Sequence, residues 1–255
     1  MLIDTATDGH VHTFLCHHAR GTMENYVEAA LDRKLRKIIF LEHMEAGVSY
    51  FESTWLDVAD FEFYRSEGRR LQEKYQGRIQ IGLGVEVGYN PRRREDLVAF
   101  LARHRWDRIG ISYHFLEVGG RHYNVVSKRR ENLVALAEVG IEKVVSDYFA
   151  GLLEAVNSLP GTVLCHLDAV LRHHPQVCFG QTHRRQIDEI FAAMRRRGMA
   201  LEVNTSGIPL RGQPFPAVPL LQQAVALGLP LAAGSDAHRP QDVGRHFEQL
   251  PRFLD

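Results

Sequence analysis

The sequence ATDGHVH occupies residues 6–12 and has the form of a short β-strand that ends in two histidines, His10 and His12. Six further short apolar segments follow along the chain, and amphipathic stretches with helical spacing separate them. Strands that alternate with helices in this way form a parallel sheet, which is either open or closed into a barrel. The predicted strands are Ala6–His12, Lys37–Leu41, Ile79–Val85, Arg108–Tyr113, Thr162–His166, Ala200–Asn204 and Leu231–Ala233.

The segments between the strands are predicted to be helices and loops. The first helix should begin at Thr22, which is a favourable N-terminal capping residue. Ser127–Leu159 is predicted to form two helices that separate near Gly140, and Met44–Leu56 an irregular loop that overhangs the functional end of the sheet. Because no long linker, repeat or low-complexity segment divides the chain, we expect residues 1–255 to form a single domain.

Charge and composition narrow the class of protein. The 255 residues include 31 Lys+Arg and 31 Asp+Glu, so the formal net charge is zero. A chain without net charge lacks the positive electrostatic field that attracts nucleic acids and anionic membranes, so we expect neither as a partner. No segment is apolar enough for a transmembrane helix, and no signal peptide is evident. With three cysteines and no Cys-x-x-Cys pair, the composition indicates a cytoplasmic protein.

Histidines and acidic residues stand at the carboxyl ends of nearly all the predicted strands. In parallel α/β proteins, these ends and the loops that follow them carry the functional groups. Because strand side chains alternate between faces, His10 and His12 can face one pocket, and so can Asp236 and His238. The other candidates at these ends are Glu42, His43, Glu86, His114, His166 and Asp168, with His17 or His18 shortly after the first strand.

Imidazole and carboxylate groups together are typical ligands of Zn, Fe or Mn. Nine ligands would exceed the needs of one ion, and three ions could bind if Glu86 and Asp236 bridge neighbouring pairs. A single histidine at a strand end is more often structural. The metal site is predicted because histidines or acidic residues occur at the ends of nearly all the predicted strands. Most of the remaining histidines are expected to be solvated, namely His104, His122, His173, His174, His183 and His246.

Eight short motifs contain these residues: DGHVHT (8–13), CHHARG (16–21), LEH (41–43), GVE (84–86), SYH (112–114), HLD (166–168), NTSG (204–207) and GSDAHR (234–239). Together they resemble the metal motifs of the polymerase and histidinol phosphatase (PHP) superfamily, and within it those of the PHP-type histidinol-phosphatases. The resemblance covers residues 8 to 245 and lies in the order and spacing of the whole set. It implies a distorted (β/α)7 barrel with a trinuclear metal centre at the C-terminal ends of the strands.

The resemblance also implies how the ligands are shared among three divalent transition-metal ions. One ion would be held by His10, His12, Glu86 and Asp236. A second would share Glu86 and be held by His114 and His166, and a third would be held by His18, His43 and His238. His18 is preferred to the adjacent His17 because it has the spacing from His12 that the family shows.

The activity implied by the resemblance is the hydrolysis of L-histidinol phosphate to L-histidinol and phosphate in histidine biosynthesis. Arg172 and Arg211 are candidate phosphate-binding residues because each follows a strand end. The proton for the departing alkoxide could come from Glu42, from His238 or from solvent. The family usually has Asp at the position of Glu42, so this acid could instead orient a ligand histidine.

Two other functions remain open. The first is a PHP-type phosphoesterase that acts on another small phosphomonoester or on nucleic-acid ends, although no basic, stacking surface is evident for nucleic acid. The second is a metal-binding or regulatory module that has lost activity, against which the complete ligand set argues. The sequence does not indicate an oligomeric state.

Overall fold

The computed structural model describes residues 3–174 and 177–254, which are arranged around a parallel sheet of seven strands. In spatial order the strands are β1 (Thr7–Val11), β2 (Lys37–Glu45), β3 (Gln80–Gly88), β4 (Ile109–Ser112), β7 (Val163–Leu164), β8 (Ala200–Asn204) and β9 (Leu231–Gly234). A separate antiparallel hairpin consists of β5 (Phe115–Val118) and β6 (Arg121–Asn124).

The sheet curves until its two edge strands meet. Val11 forms a parallel bridge with Ala237, just beyond β9, and the backbone N–H of His12 donates to the Ala237 carbonyl at 2.9 Å. The buried Asp8 carboxylate strengthens this seam, because it accepts hydrogen bonds from Ser235 N (3.0 Å), Ser235 Oγ (2.5 Å) and Gly244 N (2.7 Å). The predicted distorted (β/α)7 barrel is therefore confirmed as a nearly closed barrel.

Helices flank the barrel, and their starts follow local capping chemistry. Thr22 and Asn25 form a capping box at the first helix, as Asp57 and Asp60 do at the second. The predicted separation at Gly140 is confirmed, and its φ of 100° is a conformation that glycine adopts readily. The helices are α1 (Met23–Asp32), α2 (Val58–Lys74), α3 (Arg94–Ala102), α4 (Arg130–Val139), α5 (Ile141–Ser158), α6 (Gln181–Arg197), α7 (Ile208–Arg211), α8 (Val218–Ala226) and α9 (Leu250–Leu254).

The apolar core has two parts. A small cluster of Leu41, Val163 and Cys165 packs against Ala200 and Ala232, and larger apolar residues fill the layer between strands and helices. Among the described residues, no helix combines the length and apolar character needed to span a bilayer.

Strand lengths differ from the sequence prediction where the ligands lie. β2 continues to Glu45 and β3 to Gly88, so His43 and Glu86 belong to regular strands. β7 instead ends at Leu164, before His166. The hairpin of β5 and β6 was not predicted.

Candidate metal centre

Glu86, near the end of β3, is fully buried at the centre of the predicted ligands. Its Oε1 atom lies 3.3 Å from His114 Nε2 and 2.8 Å from His166 Nε2. Its Oε2 atom lies 3.3 Å from His10 Nε2 and 3.5 Å from His12 Nε2. The two carboxylate oxygens therefore face different imidazoles, which is the arrangement expected of a carboxylate that bridges two cations.

Asp236 completes the group around the first two histidines. Its Oδ1 atom lies 3.8 Å from His10 Nε2 and 3.4 Å from His12 Nε2, and the two Nε2 atoms lie 2.8 Å apart. Three side chains thus direct ligand atoms to one point, beside Glu86 Oε2.

The remaining predicted ligands form an adjacent group. His18 Nε2 lies 2.8 Å from His238 Nε2, and the His43 ring lies between this pair and Glu86, with Nδ1 3.0 Å from Glu86 Oε2. His17 points elsewhere, because its Nε2 atom lies 3.6 Å from Asp60. The fold brings His18, and not His17, to the cluster.

Protonation differs between the histidines of the cluster. Burial and the neighbouring imidazoles lower the pKa of His18 to about 3, and burial lowers that of His238 to about 4. Burial also opposes protonation of His10 and His114, but nearby carboxylates outweigh it, and they hold the pKa of His10 well above the ordinary range and that of His114 at about 10. Near neutral pH, His18 and His238 are therefore neutral, whereas His10 and His114 would exchange a proton for a bound cation.

The two carboxylates at the centre of the cluster are anionic. Burial raises the pKa of Glu86 and Asp236, but the surrounding imidazoles outweigh it and hold both pKa values well below the ordinary range.

Unpaired buried atoms show that a cation fits this cluster. Among the described residues, Glu86 Oε2, His12 Nδ1 and His43 Nδ1 are buried without a hydrogen-bond partner, since His43 Nδ1 approaches Glu86 Oε2 to 3.0 Å without hydrogen-bond geometry. Such atoms cost roughly 1–3 kcal/mol each when left unsatisfied. Imidazole pairs whose nitrogens face each other at 2.8 Å, with acids beside them, match the donor preferences of Zn, Fe or Mn.

Two buried glutamates that sequence reasoning missed orient the ligand rings. Glu202 Oε1 lies 2.5 Å from His10 Nδ1, and Glu45 Oε1 lies 2.8 Å from His114 Nδ1. A carboxylate accepts hydrogen bonds, so each ring carries its proton on Nδ1 and directs the Nε2 lone pair into the cluster. The available signal was an acid at an inward-facing strand position, two residues after His43 for Glu45.

Two of the predicted ligands have an unusual backbone conformation. His166 has a φ of 25° and Asp236 a φ of 52°, in the left-handed region that non-glycine residues avoid. Such conformations cost about 1–3 kcal/mol each and persist where surrounding contacts enforce them. The strands end here, and the turned backbone presents both side chains to the cluster.

Glu42 lies on the opposite face of β2 from His43 and is fully buried. Its Oε1 atom accepts hydrogen bonds from Thr13 N (2.9 Å) and Thr13 Oγ1 (2.6 Å). Its Oε2 atom lies 4.0 Å from His12 Nδ1, and neither atom has a hydrogen-bond partner among the described residues. Burial raises the pKa of Glu42 to about 8, against the lowering effect of Thr13.

A cavity of about 500 Å³ opens above the cluster. As predicted, the loop after β2 overhangs it, since Tyr50, Glu52 and Thr54 line the cavity, and Phe115 of β5 lines it too. Arg172 also lines the cavity and donates from Nε to the Val126 carbonyl at 3.1 Å.

Arg211 lies outside the lining of this cavity in the described residues. Its guanidinium group forms a two-point ion pair with the buried Asp168, at 3.0 and 3.1 Å, and stacks on the Phe215 ring at 3.9 Å from the centroid. Among the histidines expected to be solvated, His183 is instead fully buried in α6. Both of its ring nitrogens have partners there, since Nδ1 accepts from Gly180 N at 3.2 Å and Nε2 lies 3.2 Å from the Glu142 carbonyl.

Comparison with known families agrees with this geometry. The PHP domain family model matches residues 8–206, and the PHP-associated model matches residues 221–254. The chain belongs to the PHP family.

Individual relatives extend the similarity over nearly the whole chain. The "Probable histidinol-phosphatase" of Deinococcus radiodurans is 29% identical over 245 residues, covering 94% of this chain and 89% of the relative. The histidinol-phosphatase of Bacillus subtilis is 27% identical over 258 residues, covering 94% and 96%.

Solved structures share the fold. A Listeria monocytogenes structure superposes with a TM-score of 0.86 at 22% identity, covering 95% of this chain and 99% of the other. The histidinol phosphate phosphatase of Lactococcus lactis, solved with zinc, L-histidinol and phosphate, gives a TM-score of 0.81 at 21% identity, covering 97% and 92%.

Proposed function

We propose that this protein is a metal-dependent histidinol-phosphatase, which hydrolyses L-histidinol phosphate to L-histidinol and phosphate in histidine biosynthesis. The observation that carries the proposal is the convergence of nine imidazole and carboxylate side chains, with Glu86 at their centre, beneath one cavity. The choice of L-histidinol phosphate as the substrate is supported by the names of the relatives, which are histidinol-phosphatases. We also propose that the enzyme is cytoplasmic, forms a single domain and has neither membrane nor nucleic-acid partners.

The proposed centre holds three divalent ions of Zn, Fe or Mn. Following the family resemblance, the first group is His10, His12, Glu86 and Asp236, the second is Glu86, His114 and His166, and the third is His18, His43 and His238. Bound ions would supply an acidified water and positive charge for the phosphoryl oxygens. Glu86 would contribute by joining two groups, and the buried glutamates by fixing the imidazole tautomers.

Arg172 and Arg211 are the proposed phosphate-binding residues. Arg172 is supported by its place in the cavity wall, where its guanidinium stays close to the acids of the cluster. Arg211 would have to share its guanidinium between Asp168 and the phosphate, since two of its nitrogens already contact that carboxylate.

The departing alkoxide needs a proton, for which Glu42 and His238 remain the proposed donors. His238 lines the cavity, but a nitrogen that holds an ion cannot also carry the proton. Glu42 is absent from the described cavity lining, and its contacts with Thr13 and His12 also support the orienting role. Solvent in the cavity is the remaining donor.

A substrate panel tests the proposed function. Phosphate release should be measured from L-histidinol phosphate, mononucleotides and an aryl phosphate, with metal equivalents counted per chain. We expect kcat/KM for L-histidinol phosphate to exceed the others by about 100-fold or more, because polar groups built for one ligand discriminate strongly. Similar slow rates on every ester would indicate a phosphoesterase of other specificity, and no hydrolysis would indicate a module without activity.

A further inference from the structure

Neither β8 nor the residues directly after it supply a predicted ligand, yet Glu202, a buried acid of β8, contacts two of them. Glu202 is 1% exposed and lies beneath the cluster. We propose that Glu202 is the positioning residue of the metal centre, which sets the tautomer of His10 and holds the turned backbone of His166. The inference needs the metal centre but no particular substrate.

Both carboxylate oxygens of Glu202 are occupied by hydrogen-bond donors. Oε1 lies 2.5 Å from His10 Nδ1. Oε2 accepts from the backbone N–H of His166 and from Asn204 Nδ2, each at 2.9 Å. One side chain therefore contacts a ligand of the first group through its ring and a ligand of the second through its backbone.

The same network extends towards Asp236. Asn204 Oδ1 accepts from Ser206 N at 3.0 Å, and the Ser206 hydroxyl lies 2.6 Å from Asn204 Oδ1 and 3.3 Å from Asp236 Oδ2. His166 and Asp236 are the two ligands with left-handed φ angles. Glu202 therefore contacts one ligand with a left-handed φ angle, His166, and Ser206 contacts the other, Asp236.

Glutamine cannot replace Glu202 because every donor around it needs an acceptor. If the amide nitrogen faces His166 and Asn204, it meets two N–H donors. If it faces His10, that ring must accept at Nδ1 and carry its proton on Nε2, where the lone pair for a metal would be. Either orientation leaves a buried group unsatisfied or removes a ligand.

Glu154, on α5 and outside the ligand cluster, provides a matched control. Its Oε1 atom accepts a hydrogen bond from the Tyr89 hydroxyl at 2.7 Å. A glutamine at position 154 can turn its oxygen towards that hydroxyl and keep the contact. The same substitution should therefore have different consequences at the two sites.

The experiment compares native protein, Glu202→Gln and Glu154→Gln, all as the full chain and loaded with Zn. Metal equivalents per chain and zinc affinity by chelator competition are the readouts, with circular dichroism as the check on folding. We expect Glu202→Gln to lose at least one equivalent or about 10–100-fold in affinity. Glu154→Gln should change the affinity less than threefold, because Glu154 contacts none of the predicted ligands. Native values in a folded Glu202→Gln, or equal losses in both variants, would overturn the proposal.

A second measurement needs no variant. Nitrogen-15 NMR of the zinc-loaded native protein should show His10 protonated at Nδ1, with that proton hydrogen-bonded. A His10 ring protonated at Nε2 would overturn the proposal even if Glu202→Gln does not fold. A native protein that binds no metal would instead overturn the metal centre, so the two failures are distinguishable.

Discussion

Glu86 shows how one side chain can organise two groups of ligands. Its buried carboxylate stays anionic because the imidazoles that face it, His114 foremost, outweigh the cost of burial and lower its pKa. The two oxygens point to different histidines, so the negative charge is shared between both groups. At the residue scale, the site depends on which atom of each side chain faces inwards.

The two candidate phosphate-binding arginines should respond differently to removal. Arg172→Ala should raise KM about tenfold or more with the metal content unchanged, because it removes a cation from the cavity wall. Arg211→Ala should lower kcat/KM and also destabilise the fold by about 3 kcal/mol, since Asp168 would lose its buried partner. Steady-state kinetics and urea unfolding separate these effects.

Arg92→Ala is the control for both arginine variants, since Arg92 is exposed and paired with Glu117 on the surface. It should leave the kinetics unchanged and alter stability by less than about 1 kcal/mol. Native kinetics in the Arg172→Ala, Arg211→Ala double variant would reject the phosphate-binding assignment.

Glu42→Gln distinguishes a proton donor from an orienting acid. If Glu42 orients His12, kcat should fall by a similar factor, about tenfold, with L-histidinol phosphate and with an aryl phosphate. A proton donor matters only for a poor leaving group such as an alkoxide. A loss confined to L-histidinol phosphate would therefore identify Glu42 as the donor.

At the scale of elements, the turns after the strands decide how the ligands are presented. The sequence predicts a strand from Thr162 to His166, but β7 ends at Leu164 and His166 takes a left-handed φ. Alternation of apolar residues carries no information about this turn, because the contact that supports it comes from Glu202 on another strand. β2 and β3, in contrast, continue as regular strands beyond their predicted ends at Leu41 and Val85, so His43 and Glu86 take positions that strand alternation describes.

The seam between β1 and the segment after β9 depends on Asp8. Asp8→Ala should reduce the free energy of unfolding by about 2–5 kcal/mol, because Ser235 N and Gly244 N would lose their buried acceptor. Urea denaturation measures the change. The exposed Asp4 is the matched control, and its alanine variant should alter stability by about 0.5 kcal/mol or less. Equal effects in the two variants would contradict this role for the seam.

At the scale of the whole molecule, barrel closure joins chain positions from 10 to 238 in one centre. A bound cation would pair with the buried imidazole and carboxylate atoms that lack hydrogen-bond partners, so we expect metal binding and folding to be coupled. Ligands that bind only the native state stabilise it, by about 4 kcal/mol at a thousandfold excess over Kd.

Metal removal should therefore lower thermal stability. Chelator treatment is expected to reduce Tm by about 10 °C or more, since 1 kcal/mol corresponds to about 2–4 °C for a chain of this length. Calorimetry before chelation, after it and after reloading with Zn measures the effect. An unchanged Tm in protein shown to be metal-free would contradict the coupling.

The sequence by itself predicted seven parallel strands, the separation of α4 from α5, and candidate ligands at the strand ends. These features follow from local rules, since side chains alternate along a strand and glycine ends a helix. The family resemblance already favoured His18 over His17, but only the tertiary structure showed that His183 is buried and that Glu202 contacts His10 across 192 residues of chain. Such contacts depend on the register and curvature of strands far apart in sequence, which no local pattern records.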